Sequence, residues 1–192
     1  MKKIIEIKKK LVNDWFQSLQ KKMVYQFQII ENEMSKKNKK KPRYFIKREW
    51  KKNNKKEGGG TSYLLSEGEI FDKVGVNQST VSGQFEKAFR SKVLGAEKNG
   101  RYWASGISIV AHMKNPKIPA LHFNTRFIVT SKAWFGGGMD ATPSFNDKKE
   151  KNLIHKKLKK VCELNNKNYN QYKKWCDKYF YLPHRKELRG IG

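Results

Sequence analysis

The stretch that decides the fold is residues 103–143, which contains WASGISIVAH at 103–112, LHFNTRFIV at 121–129 and WFGGGMDATP at 134–143. The second segment alternates polar and apolar residues, so a strand would place His122, Asn124 and Arg126 on one face and the apolar side chains on the other. The first segment has similar β-prone content, and its alternation places Ser108 and His112 together. We therefore predict two strands joined by a turn.

The polar face of the second predicted strand carries an imidazole, an amide and a guanidinium at His122, Asn124 and Arg126. A merely solvated face in this lysine-rich chain would be expected to carry lysine, and this face carries none. Histidine transfers protons near neutral pH, and arginine offers a planar fork that suits a carboxylate. The pattern favours a ligand-facing row, although solvated polar faces are also common on antiparallel sheets.

Three consecutive glycines, Gly136, Gly137 and Gly138, precede Asp140. A two-residue hairpin turn needs only one or two permissive residues, so the run indicates that the backbone comes close to something. Residues 140–143, DATP, are equally typical of a turn in which the aspartate accepts local backbone hydrogen bonds.

The remaining chain reads as helices around these strands. An apolar stripe predicts an amphipathic helix over residues 3–32 with a core-facing side; its members are Ile4, Leu11, Trp15, Leu19, Met23, Phe27 and Ile30. Residues 43–50 predict a further strand, and glycines 58–60 are interpreted as a flexible connection before another strand. Two more helices, the second aromatic along one side, are predicted between residues 153 and 180.

The composition suits one domain over residues 1–192, and its net charge is +26, from 43 Lys and Arg against 17 Asp and Glu. Such a charge suits binding to nucleic acid or to an anionic surface. Lysine enrichment with many asparagines is also typical of the codon bias of an AT-rich genome, which shows at solvent-exposed positions that tolerate substitution. Cys162 and Cys176 are interpreted as reduced core thiols. No run approaches eighteen apolar residues, so we expect no membrane span and a cytoplasmic location.

The ordered motifs resemble one family, oxygen-dependent coproporphyrinogen III oxidase. The resemblance covers about residues 40–192, which we take as the catalytic part, and the N-terminal helix supports it more weakly. It rests on GGG at 58–60, VGVN at 74–77, WASGIS at 103–108, HFNTRF at 122–127, WFGGGMDATP at 134–143, KKWCDKYFY at 173–181 and RGIG at 189–192.

The resemblance implies an α+β fold in which a flat antiparallel β-sheet is flanked by helices on both faces, and it implies a homodimer. It also implies a reaction of haem biosynthesis, in which dioxygen converts two propionates of coproporphyrinogen III into vinyl groups and carbon dioxide and peroxide leave. No organic cofactor is expected, which agrees with the lack of a dinucleotide-binding fingerprint in the sequence.

Residue roles follow from the same resemblance. His122 matches the family's proposed proton donor, and Asp140 matches an aspartate proposed to stabilise positive charge on a pyrrole nitrogen. Arg126 would hold a propionate carboxylate. The predicted substrate-binding residues are Ser108, Asn124, Thr125 and Arg126.

The family's bacterial members are often described with a divalent cation at four histidines. The matching positions are all four histidines of this sequence: His112, His122, His155 and His184. The alternative is that these side chains orient substrate or hold a dimer together.

Two departures from the family pattern stand out. The usual Asp-Leu-Thr-Pro has alanine at Ala141, and the family continues past Gly192 for roughly another third of its chain. We therefore expect a fold that is incomplete at its C-terminus. An inactive truncated remnant of the enzyme, or a basic nucleic-acid-binding protein, are the alternative interpretations.

Overall fold

The computed structural model describes residues 2–145 and 147–192. Helices and strands follow one another along the chain as α1 Lys2–Lys37, β1 Ile46–Lys51, a 3-10 turn Lys55–Glu57, β2 Gly58–Ser66, β3 Phe71–Gln84, α2 Lys87–Arg90, β4 Arg101–Met113, β5 Ala120–Val129, β6 Ala133–Thr142, α3 Lys148–Leu164, α4 Tyr169–Tyr179, β7 Tyr181–Leu182 and β8 Glu187–Leu188. The α+β class predicted from the sequence is confirmed.

Strands β1 to β6 form one antiparallel sheet in which each strand pairs with the next one along the chain. Side chains of a strand alternate between the two faces, so each strand contributes to both sides of the sheet. Helix α1 lies across one face, over β3 and β4. Part of α4 covers the opposite face at the β5–β6 end, where the two border a common cavity. We call these the closed face and the open face.

The closed face holds the hydrophobic core. Phe16 and Phe27 of α1 are almost fully buried there, and Phe27 packs edge-on against Phe71 of β3 with ring centroids 5.4 Å apart. The sheet supplies mainly β-branched side chains, namely Val74, Val76, Ile107 and Ile109, along with Phe127 and Leu65. Burying such side chains is the main source of stability for this part of the chain.

The predicted apolar stripe of α1 is wrong at four positions: Ile4, Leu11, Trp15 and Ile30 are 41% to 63% exposed. Each step of four residues advances the helix about 40° beyond a full turn, so a stripe built from successive steps of four winds around the helix. Its first members therefore lie opposite Phe27. The helix buries a different set against the sheet, including Phe16, which the stripe omitted.

Two polar side chains also anchor α1 to the sheet. The amide of Gln20 donates to the carbonyl oxygens of Thr61 and Val76 at 2.7 and 2.9 Å. The fully buried Glu31 accepts hydrogen bonds from the backbone amides of Glu69 and Ile70 in the β2–β3 turn. Buried polar groups are tolerated where they are hydrogen-bonded, so these contacts fix the helix at two points.

Both glycine runs lie within strands. Gly58–Gly60 opens β2, where an added Cβ would come within 2.1 to 2.3 Å of neighbouring carbonyl oxygens, so the predicted flexible connection is wrong. Gly136–Gly138 lies in the middle of β6, and Asp140 follows in the same strand, so the turn interpretation of DATP is also wrong. The sheet therefore uses glycine where strands approach closely or where a face must stay free of side chains.

Candidate functional site

The open face brings the predicted polar residues of β4, β5 and β6 into register. His122 pairs with Asp140 of β6 and with Val110 of β4. One row along, Asn124 pairs with Gly138 on one side and with Ser108 on the other. The alternation predicted for β5 thus places its imidazole, amide and guanidinium together on one surface.

A hydrogen-bonded chain of three side chains marks one end of this surface. His122 Nδ1 lies 2.8 Å from Asp140 Oδ1, and Thr142 Oγ1 donates to Asp140 Oδ2 at 2.8 Å. Asp140 is only 6% exposed, whereas His122 is half-buried. A buried carboxylate that accepts a hydrogen bond from one ring nitrogen fixes the orientation and the tautomer of the ring. The other ring nitrogen, Nε2, is then the one available for proton transfer.

The end of the chain covers Asp140 from outside the sheet. Ala141 and Ile191 exchange both backbone hydrogen bonds, at 2.9 and 2.8 Å. A Cβ added to Gly190 would meet Asp140 Oδ2 at 2.6 Å, so only glycine permits this approach. The carboxylate is therefore shielded from water by backbone.

Arg126 provides the positive charge of the surface. It is exposed, and one of its terminal nitrogens donates to Asn124 Oδ1 at 2.8 Å. Among the residues that the structure describes, no carboxylate lies within 4.0 Å of its guanidinium. The remaining donors are thus free to form a bidentate pair with an incoming carboxylate or phosphate.

These groups border a cavity of about 580 Å³ between the β5–β6 end of the open face and α4. The α4 side is formed by Trp175, Cys176, Tyr179 and Phe180. Burial raises the pKa of the Cys176 thiol, so this group remains protonated in the cavity wall. The cavity combines aromatic and apolar walls with few polar groups, as ligand pockets commonly do.

The sequence indicated an aromatic side of α4 but gave it no functional role. Its residues are mostly exposed: Trp175 is 64% and Tyr179 76% exposed. The available signal was that an aromatic stripe lacked the aliphatic residues that usually accompany it in a core. Which face of the sheet the stripe would border could be read only from the structure.

The three glycines of β6 have different surroundings. A Cβ added to Gly137 would lie 2.3 Å from the carbonyl oxygen of Asn124, so this glycine is required by strand packing. A Cβ on Gly138 would meet no atom of the described residues within 4 Å, and one on Gly136 would only just reach the indole nitrogen of Trp134 at 4.0 Å. The outer two glycines therefore leave the floor of the cavity bare.

Ser108 and Thr125 line a second, smaller cavity of about 330 Å³ at the centre of the open face, and Asn124 and Arg126 border both cavities. Ser108 is exposed on the open face. Thr125 pairs with Ile107 of the core and shares its alternation, so its side chain belongs to the closed face and its contribution here is backbone.

The four histidines occupy three separate places. His112 and His122 are neighbours on the open face, with ring centroids 6.0 Å apart. His155 lies in α3, where its Nδ1 is 2.8 Å from the hydroxyl of Tyr169, and burial, helped by nearby Lys173, lowers its pKa. His184 is exposed in the β7–β8 turn.

This arrangement does not fit a common ion. Residues 2–145 and 147–192 contain no group of three or more His, Cys, Asp or Glu placed to hold a metal. His122 and His155 each direct Nδ1 to a protein partner.

Comparisons with known proteins connect this geometry to a family. A family model described as coproporphyrinogen III oxidase matches residues 11–192. The chain belongs to the coproporphyrinogen III oxidase family. It is 46% identical over 185 residues to proteins named oxygen-dependent coproporphyrinogen-III oxidase from Rickettsia akari (strain Hartford) and Rickettsia bellii (strain OSU 85-389). Each alignment covers 96% of this chain and 65% of the relative.

The coproporphyrinogen III oxidase resemblance seen in the sequence is thus confirmed at the level of family. The match begins at residue 11 and so takes in most of α1, where the resemblance in the sequence was weaker than over residues 40–192. In the described part of the chain, no helix is both long enough and apolar enough to cross a membrane.

Proposed function

We propose that this chain binds coproporphyrinogen III on the open face and carries out its oxygen-dependent oxidative decarboxylation. The observation that carries the proposal is that the hydrogen-bonded chain His122–Asp140–Thr142 and Arg126 border the same aromatic-walled cavity. Arg126 has free donors there for a carboxylate. The names of the Rickettsia relatives support the same activity. Dioxygen is the co-substrate, the reaction needs no organic cofactor, and haem biosynthesis is the setting.

Each turn of the reaction removes one carboxyl group and two electrons from a propionate. A side chain –CH2–CH2–COOH and one O2 become –CH=CH2, CO2 and H2O2, so atoms and electrons balance. The electron-rich porphyrinogen is the reductant and dioxygen the oxidant. The protein therefore has three tasks: to hold the carboxylate, to move protons and to exclude water.

Arg126 pairs with the carboxylate of the reacting propionate through its free guanidinium donors. His122, at Nε2, exchanges the proton that the pyrrole N–H loses or that the departing peroxide gains. Asp140 acts through His122: both of its oxygens are already hydrogen-bonded and it is almost fully buried, so it stabilises the imidazolium. This differs from the direct contact with pyrrole nitrogen that the resemblance implied.

The aromatic wall on α4 and the bare glycine floor suit a large flat ring. Trp175 and Tyr179 provide exposed aromatic surface on one side of the cavity. Gly136 and Gly138 carry no side chain that would hold a macrocycle away from β6. We propose the homodimer of the family as the assembly and the cytoplasm as its location.

The direct experiment is aerobic incubation of the purified chain with coproporphyrinogen III, followed by chromatographic separation of the oxidised products. We expect protoporphyrin to appear in proportion to protein and to depend on dioxygen. Arg126→Gln should lower the yield, whereas Arg185→Gln, an exposed arginine of the β7–β8 turn, should leave it unchanged. Absence of product, or equal effects of the two substitutions, would contradict the proposal.

A further inference from the structure

A third cavity of the open face lies outside the site described above. It has a volume of about 650 Å³ and lies over β1 to β4, at the end of the sheet away from α4. Its main side chains are those of Arg48, Trp50, Lys73, Asn77 and His112.

A continuous polar row joins this cavity to the proposed active site. Register pairs Asn124 with Ser108, Ser108 with Asn77, Asn77 with Ser62, and Ser62 with Arg48. Consecutive partners in antiparallel strands lie side by side on one face. The open face thus presents a line of alternating amides and hydroxyls that ends in a guanidinium at β1.

The cations of the third cavity have no acidic partner in the described parts of the chain. No carboxylate lies within 4.0 Å of Arg48 or Lys73 there, whereas eight other lysines in the described parts have a carboxylate partner. Glu49 is the one acidic residue among the described residues that border the cavity, and its carboxylate bonds to Lys47 at 2.6 Å. Alternation along β1 places both of those side chains on the other face.

Trp50 forms an aromatic surface beside these charges. Its indole nitrogen lies 3.0 Å from where a Cβ of Gly60 would be, so the ring lies over the bare backbone of β2. The tryptophan is 43% exposed and therefore accessible to a ligand. A cavity with two unpaired cations and an aromatic surface suits an anionic ligand that has a flat apolar part.

The distance across the sheet suits one ligand that reaches both cavities. Four inter-strand spacings separate β5 from β1, which amounts to about 19 Å between backbones, and long arginine side chains from either side shorten the gap. A tetracarboxylate held at Arg126 by one arm would extend its opposite arms along the polar row toward β1 and β3.

Building on the proposed function, we propose that Arg48 and Lys73 bind the carboxylates that the reaction retains. Coproporphyrinogen III has four carboxylates, of which two leave as carbon dioxide and two remain in the product. The retained pair needs a binding site away from His122 and Asp140, and the third cavity offers one. This site would hold substrate and product alike and would set the orientation of the macrocycle.

The test compares two non-reacting porphyrins, the tetracarboxylate coproporphyrin III and the dicarboxylate protoporphyrin IX, which carries only the retained pair. Binding is measured by quenching of tryptophan fluorescence. The double variant Arg48→Gln/Lys73→Gln should bind both porphyrins at least about tenfold more weakly, a loss of about 1.4 kcal/mol or more, because it removes both cations that would contact the retained carboxylates. Arg126→Gln should weaken the binding of coproporphyrin III more than the binding of protoporphyrin IX.

Lys47→Gln is the matched control, since it removes a cation from the same strand on the opposite face. If the double variant binds both porphyrins as Lys47→Gln does, while Arg126→Gln still weakens coproporphyrin III, the third cavity is not the site and the proposed function stands. If the double variant loses binding of coproporphyrin III but still binds protoporphyrin IX normally, the retained carboxylates bind elsewhere. If the unmodified chain binds neither porphyrin, both proposals fail.

Discussion

The two faces of the six-stranded sheet are built from the same strands and have opposite chemistry. In β3, Val74 and Val76 point into the core under α1, while the next residue, Asn77, is exposed on the other side of the sheet. In β5, Phe127 is buried and its neighbour Arg126 is exposed. The closed face is filled with side chains, whereas the open face is lined by glycines, hydroxyls and amides around cavities.

This contrast shows that neighbouring residues of one strand can serve different purposes, one contributing to folding stability and the next to ligand binding. Adjacent positions on one strand belong to different faces, so substitutions one residue apart should affect different properties. Substitutions on the closed face should change the free energy of unfolding. Substitutions on the open face should change substrate binding and turnover with a smaller effect on folding.

The largest effect is expected at the His122–Asp140 pair. Asp140→Asn removes the negative charge that stabilises the His122 imidazolium, so kcat/KM for coproporphyrinogen III should fall about 10²- to 10⁴-fold, the range typical of general acid–base groups. Asp147→Asn is the matched control, because asparagine replaces aspartate well at the N-cap of α3. Near-normal turnover by Asp140→Asn would mean that the pair has no catalytic role.

On the closed face, Phe16→Ala should be the most destabilising of the substitutions considered. Removing a fully buried phenylalanine lowers the free energy of unfolding by about 3–5 kcal/mol, measured by urea denaturation. Leu11→Ala, on the 63% exposed outer side of α1, should change it by less than about 1 kcal/mol. Equal effects would show that the outer stripe of α1 is buried in solution and that the contrast between its sides is mistaken.

The glycines of β6 test the contrast within one strand. Gly137→Ala places a methyl group against the carbonyl of Asn124 and should destabilise the fold by about 1–3 kcal/mol. Gly138→Ala meets no neighbouring atom, so stability should hold while the methyl group intrudes on the cavity floor and raises KM several-fold. If Gly138→Ala left KM unchanged, the ring would not lie on this part of β6.

The smallest effect concerns His155, which lies on neither face of the sheet. Burial lowers its pKa in the folded state, so the unfolded state binds more protons and stability falls as the pH drops from about 6.5 through the folded pKa. The chain should therefore lose more stability between pH 7.5 and pH 5.5 than the His155→Gln variant does, by urea denaturation at both pH values. If the His155→Gln variant lost as much stability as the unmodified chain, or more, the pKa of His155 would not be lowered by folding.

The sequence predicted the two central strands closely, because alternation is a strong signal. Segments 103–112 and 121–129 became β4 Arg101–Met113 and β5 Ala120–Val129. The row of His122, Asn124 and Arg126 followed from the same alternation. The family followed from ordered motifs, and the comparisons confirm it.

Other features depended on tertiary contacts that local patterns do not contain. Glycine is rare in strands, so the sequence did not predict β6, and the pairing of His122 with Asp140 can be read only once the register of β6 is known. Helix α1 has apolar residues on two sides, and only packing decides which side is buried. The cavity wall from α4 and the polar row that reaches Arg48 depend on the arrangement of whole elements.

The most direct test of the central claim is a crystal structure of this chain with coproporphyrin III bound. The account predicts the macrocycle on the open face, with its reacting edge between the glycines of β6 and Trp175 and one carboxylate within about 3 Å of the Arg126 guanidinium. His122 should face the ring edge on that side. A porphyrin bound elsewhere, or one on the open face whose carboxylates all avoid Arg126, would contradict the account.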